Sequence, residues 1–252
     1  MGTALITGAS AGLGEEFAWQ LATVRHNLVL VSRDEARLQQ LAAKIRSAAG
    51  VRVEVVPADL AKERDLSRVT TRLRARTRPV GLLVNNAGFA VRPSFLDAPI
   101  KDSVSMEKVM VHAVMVLSHA AARTMVERGR GAILNVSSVA AHLAGGVYSA
   151  DKAWVKTFTE SLAVELKGTG VTATALLPGL TRTEFHARAG LDCLSYPSLV
   201  WLSAADVVAR ALSDVRQGVV LSTPSLRYAL VGQLARLTPR FLIRALSRTE
   251  DR

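Results

Sequence analysis

Cysteine is nearly missing: Cys193 stands alone, so no intrachain disulfide can form and a reducing cytoplasm is the expected compartment. The N-terminal stretch Met1-Gly2-Thr3-Ala4-Leu5-Ile6 lacks a basic region followed by a long apolar one, and no signal peptide is expected. No run of about eighteen apolar residues occurs, which argues against a membrane span. Zinc-finger spacing, an RNP-like aromatic motif and a Lys-rich tail are also lacking. Nucleic acid is therefore not an expected partner despite the formal net charge of +11, and no metal site is expected. The surplus is mostly arginine scattered over helical segments. It leaves an anionic membrane surface or a phosphate-bearing cofactor as partners that the charge could serve.

What the chain does contain is apolar material for a large core: 49% of its 252 residues are hydrophobic and 21% charged. Apolar β-type runs alternate with helical patterns from end to end. The runs Thr3–Thr7, Asn27–Ser32, Val51–Val56, Val80–Asn85, Ala132–Ser137, Val171–Leu177 and Gly218–Leu221 read as strands. The segments Leu13–Val24, Glu35–Ala49, Lys62–Arg76, Ser103–Arg128, Ser149–Lys167 and Ala204–Arg216 carry helical spacing. Strands without polar alternation are covered on both faces. Strand–helix alternation then predicts right-handed crossovers and an α/β fold, a doubly wound parallel sheet of about seven strands. No repeat or Pro/Gly-rich linker divides the chain, so residues 1–252 read as one domain.

The first strand runs into Thr7-Gly8-Ala9-Ser10-Ala11-Gly12-Leu13-Gly14, and a helix follows at once. Glycines permit a tight turn and let a pyrophosphate approach without a Cβ in the way. The helix N-terminus beyond offers free N–H groups and the positive end of its dipole. An NAD-specific site would place an acid at the end of the second strand to hold the ribose 2′-hydroxyl. Here the strand ends Val31-Ser32-Arg33-Asp34: Ser32 stands in the acid's place and the Arg33 fork can engage a 2′-phosphate. NADP(H) is thus the expected cofactor, with NAD(H) and a merely solvated Arg33 as alternatives. Asp34 suits the cap of the next helix.

The spacing Thr-Gly-x-x-x-Gly-x-Gly resembles the short-chain dehydrogenase/reductase family, and the resemblance extends over nearly the whole chain, thinning after about Leu191. It implies that Gly8, Ser10, Gly12, Leu13 and Gly14 hold the cofactor phosphates and that Asp59-Leu60 contacts adenine. Asn85-Asn86-Ala87-Gly88 would steady the sheet and line the adenosine ribose. Pro178-Gly179-Leu180-Thr181-Arg182-Thr183 would hold the nicotinamide carboxamide. Tyr148-Ser149-Ala150-Asp151-Lys152 matches the family's Tyr-x-x-x-Lys, whose two positions share one helix face. By resemblance Tyr148 is the general acid/base, and Lys152 tunes it and also contacts the nicotinamide ribose. A free phenol titrates near about 10, and a neighbouring ammonium together with oxidised nicotinamide favours the phenolate. In Asn135-Val136-Ser137-Ser138 the second serine would donate to the substrate carbonyl, and Ser137 would pack under the sheet edge. The loop from Ser138 to Tyr148 is shorter than in many relatives.

One departure concerns the asparagine that relatives place on the helix near Ser103, where it helps hold a relay water. Alignment of Val109-Met110-Val111-His112-Ala113 puts Met110 there, a weak acceptor that cannot donate. His112 lies on another helix face and reads as structural or as an interface residue. Either main-chain carbonyls hold the water, or the chain is a slow relative that binds cofactor in a regulatory or scaffold role.

Substrate choice is expected in the lid, residues 184–203, where Phe185, Leu191, Leu194, Tyr196, Leu199 and Trp201 would line an apolar pocket with Phe89 and Leu143. Each could equally be core. An apolar ketone, secondary alcohol or 3-oxoacyl compound suits such walls, lipid-like ones included. Cys193 reads as a small pocket or core residue. By resemblance, the helices Ser103–Arg128 and Ser149–Lys167 pair across a two-fold axis in a homodimer or homotetramer. In the C-terminal extension, residues 225–250, Arg236, Arg240, Arg244 and Arg248 recur every four residues, with Pro239 placed to start a helix. This reads either as a basic amphipathic helix on an anionic membrane or as a solvated helix packed beside the site or a subunit.

Overall fold

The central strands bury both of their faces because successive side chains alternate sides along each strand and meet an apolar layer on either side, while the edge strands are half-buried. In the structure, a computed structural model describing residues 2–91, 95–185 and 197–247, β1 (Thr3–Thr7) turns Ala4 and Ile6 to one layer and Leu5 to the other. The remaining strands are β2 (Asn27–Ser32), β3 (Val53–Pro57), β4 (Val80–Asn85), β5 (Gly131–Val136), β6 (Val171–Leu176) and β7 (Leu221–Ser222). They form one parallel sheet in the order β3-β2-β1-β4-β5-β6-β7. The order reverses between β1 and β4. A crevice opens there beyond the carboxyl ends of the strands, where ligands bind in such sheets.

Helices α1 (Gly12–Thr23) and α2 (Glu35–Ala49) bring Phe17, Leu21, Leu38 and Ile45 to one face, joined by Val207 and Leu212 of α7 (Ala204–Arg216). On the other face, α3 (Glu63–Arg74) contributes Leu66 and Leu73, α5 (Ala113–Glu127) Leu117 and Met125, and α6 (Gly146–Glu165) Leu162. The fold class read from the sequence is thus the observed one. Element boundaries differ where glycine sets them. Gly50 (φ +63°) caps α2, so β3 begins at Val53 rather than Val51. Gly218 (φ +69°) ends the turn after α7, so β7 starts at Leu221 rather than Gly218.

The helix expected over Ser103–Arg128 begins earlier, with α4 (Ile100–Glu107) following Pro99, and passes through a π-helical turn at Lys108–His112 into α5. By length and composition this continuous helix could cross a membrane, but half of its most apolar stretch is buried in the fold, where α5 packs on α3 and β5. After β7 come α8 (Leu226–Leu237) and α9 (Arg240–Ser247), separated at Thr238-Pro239. The four-residue arginine period therefore does not run along one helix: Arg236 ends α8, while Arg240 and Arg244 belong to α9. Arg248 lies outside the described residues.

A polar network crosses the core beneath the crevice. Asn85 Nδ2 donates to Asn135 Oδ1 (2.9 Å) and Ser118 Oγ (3.1 Å), and Asn135 Nδ2 donates to Thr159 Oγ1 (3.0 Å). All four residues are buried, so their side chains find hydrogen-bond partners within the protein: one another and, for the Thr159 hydroxyl, the Val155 carbonyl (2.6 Å). Replacing Asn135 by Val removes one of the two partners of the Asn85 amide and the donor to the Thr159 hydroxyl, which keep only Ser118 and the Val155 carbonyl. We expect a loss of roughly 1–3 kcal/mol, seen as a lower urea midpoint at unchanged slope; an unshifted midpoint would show that the network carries no net stability.

Candidate active site

Every residue singled out from the strand ends lies on the side of the sheet where β1, β4, β5 and β6 terminate. Gly8 and Gly12 adopt φ +64° and +58°, which β-carbon-bearing residues rarely tolerate. A Cβ on Gly8 would stand 2.9 Å from Ala87 Cα, and one on Gly14 would collide with the Gly8 carbonyl. Ala11, the N-cap of α1, supplies no side-chain acceptor, so the first-turn N–H groups between Gly12 and Gly14 lack a side-chain cap. Ser10 and Leu13 sit half-buried in the same loop. The loop is tied to β4. Asn86 Nδ2 donates to the carbonyls of Thr7 (3.0 Å) and Gly8 (3.2 Å), while Thr7 Oγ1 accepts from the main-chain N–H of Asn86 and Ala87, both at 3.0 Å. This is a glycine cradle that a side chain would fill, at a helix N-terminus, and it fits a dinucleotide pyrophosphate.

Around this cradle stand the residues expected to hold the rest of a cofactor. Arg33 is exposed just past β2, and Asp34 caps α2 by accepting from Arg37 N–H (3.0 Å). The sequence reading missed Arg37, whose guanidinium meets Glu184 at 2.9 Å and ties the first turn of α2 to the segment after β6. Asp59 shapes the turn into α3, accepting from Ala61 N–H (3.1 Å), with Leu60 buried beside it. Past β6, the Pro178 carbonyl accepts from Val139 N–H (3.1 Å), Thr181 Oγ1 donates to the Gly179 carbonyl (3.0 Å), and Thr183 packs where a Gly12 side chain would be. The Tyr228 ring from α8 occupies the space a Cβ of Gly179 would need.

Ser138, Tyr148 and Lys152 come together at the end of β5. Extended Ser138 caps the short turn Val139–His142, its Oγ accepting from Ala140 N–H (3.1 Å), and it is hydrogen-bonded to Tyr148. Ser137 does more than pack: its Oγ donates to the Lys152 carbonyl (2.6 Å), fastening α6 to the strand end. Lys152 Nζ lies 5.7 Å from the centre of the Tyr148 ring and donates to the Val136 carbonyl at 2.8 Å. Burial pushes the Tyr148 phenol up to about 12, against a smaller downward pull from the Ser138 hydrogen bond. Burial also lowers Lys152 to about 8, against an upward pull from Asp151. In the protein alone, the Lys152 ammonium is directed to a main-chain carbonyl and burial dominates the phenol. The phenol stays neutral.

Met110 is 1% exposed and lies beside Lys152: a Cβ built on Gly88 would meet Met110 Sδ at 3.1 Å and Lys152 Nζ at 3.5 Å. Met110 sits within the π-helical turn, a wider turn that interrupts the regular carbonyl pairing of a helix. His112 points elsewhere, with Nε2 3.2 Å from Glu63 of α3. Of the lid, Phe185 stacks obliquely on Tyr148 at 5.8 Å between ring centres, Leu199 is exposed and Trp201 lies 6.0 Å from the Arg182 guanidinium. Phe89 is half-buried and Leu143 exposed. Leu191, Cys193, Leu194 and Tyr196 lie outside the described residues.

Asp151, also missed, is 6% exposed with Oδ2 unpaired. Burial, reinforced by Glu107, raises its carboxyl to about 6 although Lys152 opposes the shift. A raised carboxyl pKa means that the folded state binds the proton more tightly. Stability is therefore lost as pH rises from the ordinary carboxylate range through about 6, and the deficit persists above it. Asp151→Asn should melt higher than the parent at pH 7.5 by about 1–3 kcal/mol of stability and lose that advantage near pH 4. Thermal melts at the two pH values test this, and a pH-independent difference would refute it.

The short chain dehydrogenase family matches residues 2–193. Sulfoacetaldehyde reductase 2 of Chromohalobacter salexigens is 37% identical over 186 residues, covering 72% of this chain and 73% of that protein. A short-chain dehydrogenase from Sphingobium yanoikuyae, solved in complex with NADPH, superposes with a TM-score of 0.86 at 36% identity over 94% of both chains. The bulky-bulky ketone specific alcohol dehydrogenase from Comamonas testosteroni superposes with a TM-score of 0.82 at 31% identity, covering 94% of this chain and 92% of that one. With the glycine cradle, the Asn86 clamp and the Ser138–Tyr148–Lys152 group on one rim, these matches establish that the chain belongs to the short-chain dehydrogenase/reductase family.

Proposed function

We propose that this oxidoreductase uses NADP(H) to interconvert a carbonyl and a secondary alcohol on an apolar ketone or 3-oxoacyl-type substrate. The observation that carries the reading is the pairing of a neutral, half-buried Tyr148 with Ser138 at the rim of the glycine cradle. Gly8, Ser10, Gly12, Leu13 and Gly14 would hold the pyrophosphate, Arg33 the 2′-phosphate, Asp59 and Leu60 the adenine, and Asn86, Ala87 and Gly88 the adenosine ribose. Pro178, Gly179, Thr181 and Thr183 would hold the nicotinamide carboxamide, and Tyr148 with Lys152 its ribose. When bound, the cofactor supplies or accepts the hydride.

The Ser138 hydroxyl and the Tyr148 phenol hold the substrate oxygen. As negative charge develops on that oxygen, Tyr148 Oη gives up its proton to it, and Ser138 stabilises the same charge by a hydrogen bond. A phenol held near 12 is fully protonated at neutral pH, which suits the reductive direction. Lys152, lowered to about 8, releases a proton more readily than an exposed lysine and is placed to restore it. The NADPH complex of the Sphingobium relative supports the cofactor, and the bulky ketone preference in the Comamonas relative's name supports an apolar substrate, as does Phe185 against Tyr148. Exposed Val104, Met115, Val126 and Val164 on α4, α5 and α6 suit a homodimer or homotetramer through those helices. The cytoplasm suits the chain's lone cysteine. A regulatory, cofactor-binding role is favoured instead only by Met110, which places no donor beside Lys152.

NADPH oxidation is to be followed against apolar ketones, diketones and 3-oxoacyl thioesters. Tyr148→Phe should lower turnover by roughly 10²–10⁴ while weakening the cofactor by no more than roughly tenfold, the loss of one ribose hydrogen bond; tight NADPH binding by the parent with no turnover of any compound would favour the regulatory role. Arg33→Ala should weaken NADPH by roughly tenfold or more in titrations while leaving NADH unaffected, and equal weakening of the two would remove Arg33 from the phosphate site.

A further inference from the structure

Helix α8 turns its leucines away from the protein. Its inner side consists of half-buried Tyr228, Ala229 and Ala235 and buried Gly232. Leu226, Leu230, Leu234 and Leu237 fall at helical spacing along the centre of the opposite side, where they are 91, 62, 56 and 82% exposed. Val231 lies beside this stripe, and α9 continues the apolar surface with exposed Phe241 and Leu242 while Ile243 alone is buried among its described side chains. A helix serving only the core would place such residues inward and polar ones here.

The surroundings of this apolar stripe are of one charge. Arg227, Arg236, Arg240 and Arg244 are all exposed, and no Asp or Glu occurs from Ser225 to Ser247. Arg227 and Arg240 each also give one N–H to a main-chain carbonyl (Leu199, 3.1 Å; His142, 3.3 Å). A second copy is a poor occupant, since a two-fold contact brings the same patch against itself and would oppose arginine to arginine with no acid between them. An anionic bilayer matches both features: leucines enter the boundary between headgroups and acyl chains while guanidinium groups stay at the phosphates. Both helices are also anchored to the site. Tyr228 Oη donates to the Val200 carbonyl (2.8 Å) and accepts from Leu180 N–H (3.3 Å), and Arg240 Nη1 donates to the His142 carbonyl (3.3 Å). We propose that α8 and α9 dock the protein on an anionic lipid bilayer, with the substrate side of the active site next to the membrane. Docking does not depend on the carbonyl chemistry proposed above, because it is read by binding alone.

The test floats the full-length protein in a density gradient with phosphatidylcholine vesicles containing about 30% phosphatidylglycerol, with pure phosphatidylcholine as control. The protein should rise with the anionic vesicles, remain behind with the neutral ones and be released by high salt. The L226Q/L230Q/L237Q variant, changed only at exposed positions, should lose roughly tenfold or more in partitioning with an unchanged melting curve, and R236Q/R244Q should behave alike. Failure of the parent protein to float, or equal flotation on both vesicles, overturns the proposal. So does a dimer in sedimentation velocity that the leucine variant converts to monomer, since this face would then be a subunit interface.

Discussion

The site depends on one clamp across the reversal of strand order. Thr7 ends β1 and Asn86 follows β4, and these two strands diverge in connectivity although they are neighbours in the sheet. Four hydrogen bonds close the gap, all donated from the β4 side: the Asn86 amide to the Thr7 and Gly8 carbonyls, and the Asn86 and Ala87 main-chain N–H groups to the Thr7 hydroxyl. Each contributes only about 0.5–1.5 kcal/mol, but together they hold Gly8 in its left-handed turn and hold the loop open against the start of α1. The cradle is consequently formed by the protein itself, so binding need not order it.

Below the clamp, a second set of contacts aligns the reacting groups. Asn85, Asn135, Ser118 and Thr159 lock β4, β5, α5 and α6 together through the core, and Ser137 hooks the strand end to the Lys152 carbonyl. Tyr148 and Lys152 are thereby held on one face of α6 beside Ser138. The same burial shifts three neighbouring groups toward neutrality: the phenol upward, the ammonium downward and the Asp151 carboxyl upward. This electrostatic cost is concentrated where a proton has to move.

Much of this was legible in the sequence because local pattern dictates it. Continuous apolar strands and glycines at a strand–helix turn have a direct physical meaning, and the sheet follows from them; Ser138, Tyr148 and Lys152 were marked by the family resemblance, and the structure gathers them at the end of β5. The rest arises from contacts between distant segments. The arginine period around Pro239 suggested a single stripe, but the break at Thr238-Pro239 divides it between two helices. Arg37 gains its place from Glu184, and Asp151 its raised pKa from enclosure and from Glu107; neither partner is marked by spacing. The π-helical turn around Met110 likewise has no signature in a run that reads as ordinary helix.

The Tyr228 ring against Gly179 shows a different kind of constraint on sequence. Gly179 is not among the glycines with positive φ, so its backbone conformation does not demand glycine; the aromatic ring of a later helix does. The two positions therefore form a single unit of variation. A larger residue at 179 is compatible with this packing only alongside a smaller one at 228, and a covariation signal between them would reflect shared space rather than shared chemistry.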